Sequence, residues 1–139
     1  MTIAEKISYI YLEQEHWHKN KLGPVEAVEY HDKYIRSGNI IYIEVYGVVL
    51  GYVEVWRINS YQLDRILTKV EFFNYEEDLL SGNIIYIANL FVHPKFRDGT
   101  VLKELIKLVR NLVGNCKFVC WNKENGDFKM FKLKGALNG

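Results

Sequence analysis

The sequence predicts an α/β fold in which helices flank a mixed central sheet. Three observations support this prediction. Two amphipathic segments precede any strand, residues 39 to 58 alternate in the manner of an antiparallel hairpin, and residues 83 to 122 follow the order strand, helix, strand. Two strands joined through a helix lie parallel in one sheet, so the hairpin and the crossover together predict strands of both directions.

The first two segments carry the usual signals of helix starts and ends. Thr2 and Glu5 fit a capping box, and apolar residues then recur at helical spacing to about residue 18. Pro24 suits the first turn of a second helix, which we expect to end at Gly38. The inner face of this second helix is predicted to carry Val25, Val28 and Ile35.

Residues 39 to 47 and 49 to 58 alternate with period two on either side of a turn at Gly47, and this predicts a hairpin. Alternation separates their side chains into an apolar set and a set that mixes aromatic residues with carboxylates. The mixed set brings Glu44 and Glu54 together with Tyr52 and Trp56. The two glutamates are our candidates for a general base, and the alternative is that both are solvated on an open sheet face.

The second half of the chain predicts a crossover. Residues 61 to 70 favour a helix, although residues 69 to 74 also fit a short strand. Residues 83 to 92 form a nearly continuous apolar run, typical of a central strand covered on both faces. A helix from about Thr100 to Val113, a parallel strand over 116 to 122 and a short last helix from Asp127 to Lys134 follow. The residues predicted to be buried on the longer helix are Val101, Leu102, Leu105, Ile106, Leu108, Val109 and Leu112.

Length and composition narrow the class of protein. The 139 residues, 49% of them hydrophobic, predict one domain spanning residues 1 to 139. Eighteen basic against seventeen acidic residues give no support for binding nucleic acid broadly. The charged N-terminus resembles neither a secretory signal nor a membrane span, so we expect a cytoplasmic protein without a membrane partner. Cys116 and Cys120 are four residues apart, about 13 Å along a strand, and are expected to be free and buried.

The run YIANLFVHPKFRDGTVLKELI resembles the central motif of the GNAT superfamily, the acetyl-CoA-dependent N-acetyltransferases. In that motif an apolar strand ending near Val-x-Pro leads through Arg/Gln-x-x-Gly-x-Gly/Ala into a helix. The matching positions here are Val92, Pro94, Arg97, Val101, Leu105 and Ile106. Asn125 and the run FKMFKLKG resemble the closing region of the family. The element order agrees over about residues 24 to 135, and the motif itself covers about 83 to 106.

The resemblance implies a cofactor, acetyl-CoA, and an amine acceptor. It implies that the backbone of Leu90, Phe91 and Val92 holds the pantetheine, and that Asn125 contacts the CoA arm. It also implies that the pyrophosphate lies on the loop and first turn formed by Arg97, Asp98, Gly99, Thr100, Val101 and Leu102. A helix N-terminus leaves amides unpaired and carries about half a positive charge, which is why such an end attracts phosphate.

The sequence departs from the family at several positions. Thr100 and Leu102 stand where the two glycines are expected, and Gly99 lies one residue early. The tyrosine that protonates the departing CoA thiolate aligns with Phe131, which we expect in the core. The family's first strand is absent, and two closing strands would normally follow Gly139. We therefore expect a small sheet, or one that a second copy of the chain completes as a homodimer.

Three function classes follow. The first is an N-acetyltransferase that moves an acetyl group from acetyl-CoA to an amine, with Glu54 or Glu44 as the base. The second is a non-catalytic binding module of the same fold. The third is an enzyme of this fold that modifies nucleic acid or uses another acyl-type donor. Other candidates are weaker: His16 and His18 point apart on a helix, His31 is expected on the surface, His93 lies in a turn, and no metal site is predicted. Cys120 reads as a core residue.

Overall fold

A computed structural model describes residues 1–14, 22–68, 82–114, 116–122 and 128–133. Within these ranges lie four helices, five strands and a single 3-10 turn. The helices are α1 (Ile3–Glu13), α2 (Pro24–Arg36), α3 (Ser60–Thr68) and α4 (Thr100–Val113), and the 3-10 turn is Pro94–Phe96. The strands are β1 (Ile40–Val45), β2 (Val48–Ile58), β3 (Ile84–Val92), β4 (Phe118–Asn122) and β5 (Phe128–Lys132).

The five strands form one mixed sheet in the order β1-β2-β3-β4-β5. β3 and β4 are parallel, and the other neighbouring pairs are antiparallel. The predicted hairpin, the central position of β3 and the parallel crossover through α4 are therefore confirmed. The α/β class with a mixed sheet flanked by helices is confirmed as well.

The helix starts follow the predicted local chemistry. Thr2 accepts a hydrogen bond from the Glu5 amide, and the Glu5 carboxylate accepts one from the Thr2 amide, so the capping box is present. Pro24 opens α2, and Gly38 follows that helix with a φ of 85°. α1 ends at Glu13, before residue 18, and residues 15–21 lie outside the described ranges. The helix expected after residue 60 is present as α3, and residues 69–81 are also outside.

The two faces of the sheet carry separate cores because side chains alternate along each strand. α1 and α2 cover one face, whose core includes Ile7, Tyr34, Tyr52, Trp56 and Cys120. α4 covers the other face, whose core includes Val53, Val55, Val101, Leu105 and Val109. We call these the α1/α2 face and the α4 face.

Several sequence predictions about burial and about the last element are wrong. Residues 128–132 form strand β5 instead of a helix, because they pair antiparallel with β4. The sheet therefore has one strand after β4, where the sequence predicted none. Phe131 on β5 is 52% exposed and stacks on Trp121 instead of entering the core.

On the helices, one stripe meets the sheet and the other apolar residues face outward. Val101, Leu105 and Val109 are buried as predicted, whereas Leu102, Ile106 and Leu108 are exposed. The prediction for α2 fails at Val25, which is exposed; the buried residues of that helix are Ala27, His31 and Tyr34. Among the described residues no helix is long and apolar enough to cross a membrane.

Candidate functional site

β3 has an open edge beside the N-terminus of α4. Its pairing with β4 runs from Ile84 to Ile87, and the strand then continues to Val92 beside β2 alone within the described part of the chain. The register with β2 shifts where Glu54 faces Asn89 and Val55 faces Ile87, which leaves Ala88 as a bulge. The bulge lies where β3 and β4 part, so beyond it no described strand pairs with this edge of β3.

The orientation of the backbone shows which groups point to this edge. The His93 amide donates to the Leu50 carbonyl of β2 at 2.8 Å. Amides of successive residues in a strand point to opposite edges, so the amides of Leu90 and Val92 point away from β2 and that of Phe91 points toward it. The Val92 carbonyl already accepts a hydrogen bond from Arg97 Nε at 3.0 Å. Two of the three backbone positions predicted to hold pantetheine thus present amides at the open edge.

The start of α4 carries a carboxylate. Gly99 adopts a φ of 100° just before the helix, and the Thr100 amide donates to Asp98 Oδ1 at 3.0 Å. The Thr100 hydroxyl donates to the same oxygen. These hydrogen bonds from the side chain and backbone of Thr100 lower the pKa of Asp98, so the carboxylate is charged at neutral pH. The Thr100 amide is therefore already hydrogen-bonded, and the Asp98 carboxylate would repel an anion that approaches this helix end.

Close packing at Gly51 sets the distance between this helix end and the sheet. A Cβ at Gly51 would lie 2.9 Å from the Phe91 carbonyl oxygen, 2.9 Å from Val101 Cγ1 and 3.1 Å from Leu105 Cδ1. No side chain fits there, so glycine lets the first turns of α4 lie directly on β2 and β3. Val101 is buried at this contact, whereas Leu102 is 38% exposed on the outer side of the first turn.

Glu54 is a buried carboxyl on the α1/α2 face, 5% exposed. Its Oε2 accepts hydrogen bonds from the Tyr30 hydroxyl and from Trp56 Nε1, each at 2.8 Å. Burial raises the pKa of Glu54, and the hydrogen bonds from Trp56 and Tyr30 lower it to a smaller extent. A carboxyl with a raised pKa can accept a proton near working pH, which is the property required of a general base.

Beside Glu54 lies a hydrogen-bonded group that joins three elements. The Tyr52 hydroxyl donates to Gln14 Oε1 at 2.8 Å and accepts from Asn89 Nδ2 at 2.8 Å. Asn89 Nδ2 also lies 3.2 Å from Gln14 Oε1. Sequence reasoning missed Gln14, Asn89 and Tyr30. The available signal was Asn89 itself, a polar residue inside an otherwise apolar strand, which needs partners when it packs against a helix.

Glu44 lies away from Glu54. It accepts an ion-paired hydrogen bond from Lys6 Nζ at 2.7 Å, and its side chain is 31% exposed. Ile40 is the residue opposite Glu54, and Glu44 is four residues further along β1, about 13 Å away. The two glutamates share the α1/α2 face, but they do not share one cleft with Tyr52 and Trp56.

An open cleft of about 630 Å³ lies between α1, the β1–β2 turn and the end of β3. It adjoins the hydrogen-bonded group because Gln14 belongs to both. Its lining consists of Met1, Lys6, Tyr9, Ile10, Glu13, Gln14, Gly47, Val48, Val49, Phe91, His93 and Pro94. His93 Nδ1 accepts a hydrogen bond from the Lys95 amide at 3.1 Å.

The remaining candidates have structural surroundings or fall outside the described ranges. His31 was expected on the surface, but it is 1% exposed and its Nδ1 lies 2.8 Å from Ser8 Oγ. Burial lowers its pKa to about 4. Cys116 and Cys120 are free and buried as predicted, and burial raises the pKa of both thiols. Over the described residues no three His, Cys, Asp or Glu side chains are grouped to hold a metal. Asn125, His16 and His18 lie outside those ranges.

Comparison with known proteins identifies the fold. No protein-family model matches the sequence. No curated protein matches it either. Among solved structures, the loading GNATL domain of CurA from Lyngbya majuscula aligns with 88% of the chain at a TM-score of 0.55 and 15% identity. An N-acetyltransferase from Staphylococcus aureus Mu50 aligns with 86% of it at a TM-score of 0.51 and 11% identity.

A third structure, the GphF GNAT-like decarboxylase in complex with isobutyryl-CoA, aligns with 87% of the chain at a TM-score of 0.51 and 15% identity. The chain therefore has the GNAT fold, as the resemblance in its central motif implied. It spans only 62 to 64% of the length of these three structures. At such low identity the similarity concerns the fold, and the chemistry has to be argued from the residues of this chain.

Proposed function

We propose that the protein is an acyl-CoA-dependent acyltransferase that moves an acetyl group from acetyl-CoA to an amine. The observation that carries this proposal is the open edge of β3, where the amides of Leu90 and Val92 point outward beside the start of α4. An extended pantetheine arm carries amide groups that would pair with such an edge as a further strand does. The GNAT fold of the chain supports the same reading.

The reaction needs one nucleophile, one leaving group and one base. The amine nitrogen attacks the thioester carbonyl, a C–N bond forms, the C–S bond breaks, and CoA leaves as its thiolate. Glu54 is the proposed base because burial raises its pKa and because it lies opposite Asn89, next to the bulge. Since Glu54 is buried, the amine proton reaches it through a bridging water. Phe131 has no proton to give, so solvent protonates the thiolate.

The proposed site of the pyrophosphate is the start of α4, where the Asp98 carboxylate lies beside it. Arg97, Gly99 and Thr100 would hold it at the start of α4, together with Asp98, Val101 and Leu102 of the same stretch. The Asp98 carboxylate opposes a doubly charged group at this point. We therefore expect acetyl-CoA to bind chiefly through its pantetheine and less tightly than a glycine-rich loop would allow.

A non-catalytic binding module is the second candidate. Two observations favour it: Leu102 and Asp98 occupy the first turn and the loop before it, and Phe131 replaces the expected acid. In that case acyl-CoA would bind without turnover. The two candidates agree on binding and differ only in chemistry.

The test measures binding and turnover separately. Acetyl-CoA at about a hundred times its Kd is expected to stabilise the fold by about 2.7 kcal/mol, seen as a shift of several degrees in Tm. Glu54→Gln is expected to leave this shift intact and to lower turnover with a panel of amines about 100-fold. Glu29→Gln, on an exposed face of α2, is the matched control and should keep wild-type turnover. Glu44→Gln, which breaks the ion pair with Lys6, should lose far less activity than Glu54→Gln. Binding without turnover in the wild type would favour the binding module, and no binding would exclude both candidates.

A further inference from the structure

The proposed acyl transfer assigns no role to the cleft between α1, the β1–β2 turn and the end of β3. Its volume of about 630 Å³ lies within the usual range for sites that hold small molecules. The pantetheine edge and the start of α4 account for the acyl donor, so the cleft is free to hold a second molecule. What that molecule is depends on the lining.

The body of the cleft is apolar. Ile10 of α1, Val48 and Val49 of β2, and Phe91 and Pro94 at the end of β3 supply most of its wall. Val48 is 47% exposed and Tyr9 60% exposed at its rim, so apolar surface remains uncovered here. Each Å² of such surface that a ligand covers contributes about 25 cal/mol to binding. The lining therefore favours a ligand with an apolar or aromatic group.

The charges of the cleft favour a cation. Glu44 compensates the positive charge of Lys6, because Lys6 Nζ donates to Glu44 Oε2 at 2.7 Å and to the Gly47 carbonyl at 2.8 Å. Glu13, at the end of α1, is exposed and has no hydrogen-bond or ion-pair partner among residues 1–14, 22–68, 82–114, 116–122 and 128–133. Of the charged side chains that the described residues place in the lining, Glu13 alone lacks such a partner. The α-amino group of Met1 also lies in the lining, but at the opposite end of α1, about 18 Å from Glu13.

The cleft also adjoins the place where the acyl group would lie. Phe91 is a cleft residue and stands two positions after Asn89 on β3, about 7 Å away. Gln14 lines the cleft and bonds Asn89 through its Oε1 at 3.2 Å. A molecule seated in the cleft would therefore have one end close to the β3 bulge and the base Glu54.

We propose that this cleft binds the acceptor, and that the acceptor is a primary amine attached to an apolar or aromatic group. The apolar group lies against Ile10, Val48 and Phe91. The ammonium form is attracted by Glu13 and loses one proton to solvent before attack. The second proton leaves the nitrogen for Glu54 as the C–N bond forms and the C–S bond breaks. This inference rests on the proposed acyltransfer and narrows the acceptor to one chemical class.

The first experiment measures binding without any acyl donor, so it does not depend on turnover. By NMR titration of the full chain, 2-phenylethylamine is compared with 2-phenylethanol, which lacks the charge, and with ethylamine, which lacks the ring. We expect 2-phenylethylamine to bind at least tenfold more tightly than ethylamine and about threefold more tightly than 2-phenylethanol. Equal affinity for all three, or shifts confined to residues outside the cleft, would overturn the inference.

Two pairs of variants locate the site. Glu13→Gln should weaken 2-phenylethylamine about threefold and leave 2-phenylethanol unchanged, whereas Glu29→Gln, on an exposed face of α2, should change neither. Val48→Thr should weaken both ligands about fivefold because it turns an apolar wall atom into a hydroxyl. Its control is Val45→Thr, which alters the facing residue of the same hairpin outside the cleft. The assignment would be overturned if Glu13→Gln had the same effect as Glu29→Gln, or if Val48→Thr had the same effect as Val45→Thr.

A turnover experiment then separates the two proposals. With acetyl-CoA present, 2-phenylethylamine should have a kcat/KM at least tenfold above that of ethylamine. If the amine binds in the cleft and is never acetylated, the acyltransferase proposal fails while the amine site stands. If ethylamine and polyamines are acetylated as well as 2-phenylethylamine, the reaction stands and the cleft assignment fails. Tighter binding of long-chain acyl-CoA than of acetyl-CoA, lost in Val48→Thr, would assign the cleft to the acyl chain and overturn the inference.

Discussion

The two faces of the sheet are built from the same strands and differ in chemistry. The core of the α4 face is formed by aliphatic side chains and Cys116. The core of the α1/α2 face contains aromatic rings and encloses Glu54, His31, Ser8 and the Tyr52 hydroxyl. Buried polar groups need partners, and each of these four has one at 2.6 to 2.8 Å.

This difference indicates that one face serves mainly stability and the other serves chemistry. The α4 face holds α4 against the sheet mainly by apolar packing, which fixes the position of the proposed donor edge. The α1/α2 face holds the groups whose protonation can change, and it adjoins the cleft. A change on the first face should therefore affect stability independently of pH, and a change on the second should affect pH dependence and chemistry.

Leu105→Ala should give the largest loss of stability. Leu105 is 1% exposed on the inner stripe of α4, so its truncation leaves a cavity against β2. We expect the free energy of unfolding to fall by about 2 to 5 kcal/mol. Urea denaturation at about pH 7 and about pH 5 should give the same loss. A loss that changes with pH would contradict the view that this face is purely apolar packing.

Acidification should destabilise the α1/α2 face through His31. Since the Ser8 hydroxyl donates to the Ala4 carbonyl, we assign His31 Nδ1 as the donor to Ser8, and the buried ring is neutral. Burial lowers the pKa of His31 from its ordinary value of 6.5 to about 4 in the folded protein, so protonation favours unfolding. The contribution of neutral His31 to the free energy of unfolding should be fully present above about pH 6.5. It should fall by up to about 3 kcal/mol as the pH drops toward 4.

Glu54 acts in the opposite direction, and this provides the control. Its raised pKa means that the folded protein binds a proton more readily than the unfolded chain, so Glu54 adds stability as the pH falls. Tyr11, Tyr30 and Tyr52 surround His31 but do not ionise in this range. Glu54→Gln should therefore steepen the acid loss, and His31→Gln should reduce it. An acid loss that survives unchanged in His31→Gln would refute the assignment.

Gly51→Ala should have a smaller effect on stability, and it should also weaken acetyl-CoA binding. The new methyl group would meet the Phe91 carbonyl oxygen and the side chains of Val101 and Leu105, so α4 has to move outward. We expect a loss of about 2 kcal/mol in the free energy of unfolding and weaker acetyl-CoA binding. Gly23→Ala is the control, since its nearest atom would be 3.7 Å away. Full stability in Gly51→Ala would mean that α4 is not held by this contact.

Sequence reasoning succeeded where local signals decide structure. The capping box at Thr2, the Pro24 helix start, the Gly47 hairpin and the β3–α4–β4 crossover all depend on short patterns or on the handedness of connections. It failed at residues 128–132, which pair with β4 as a strand. Tertiary pairing overrides local preference in such a short segment.

For the candidate site, the residue types were predictable and their surroundings were not. Glu54 was singled out by strand alternation, yet its burial depends on Tyr30 of α2, which no local pattern connects to it. His31 was expected on the surface of a helix, whereas the rings of Tyr11, Tyr30 and Tyr52, from three different elements, enclose it. The motif singled out residues 97 to 102, but the hydrogen bonds between Asp98 and Thr100 appear only in three dimensions.

Asp98→Asn should have the smallest effect, and it tests a place where the start of α4 contributes more than packing. The asparagine oxygen can still accept the Thr100 amide, so the helix start is retained while the negative charge is removed. Acetyl-CoA should bind about threefold more tightly, because a charge of the wrong sign no longer faces its pyrophosphate. The gain should shrink at high salt, and S-acetylpantetheine, which has no pyrophosphate, should bind the variant and the wild type equally. Isothermal titration of both ligands measures the change in affinity. An equal gain in affinity for the two ligands would mean that Asp98 acts on the loop and not on the phosphate. No gain for either ligand would mean that the pyrophosphate lies away from the start of α4.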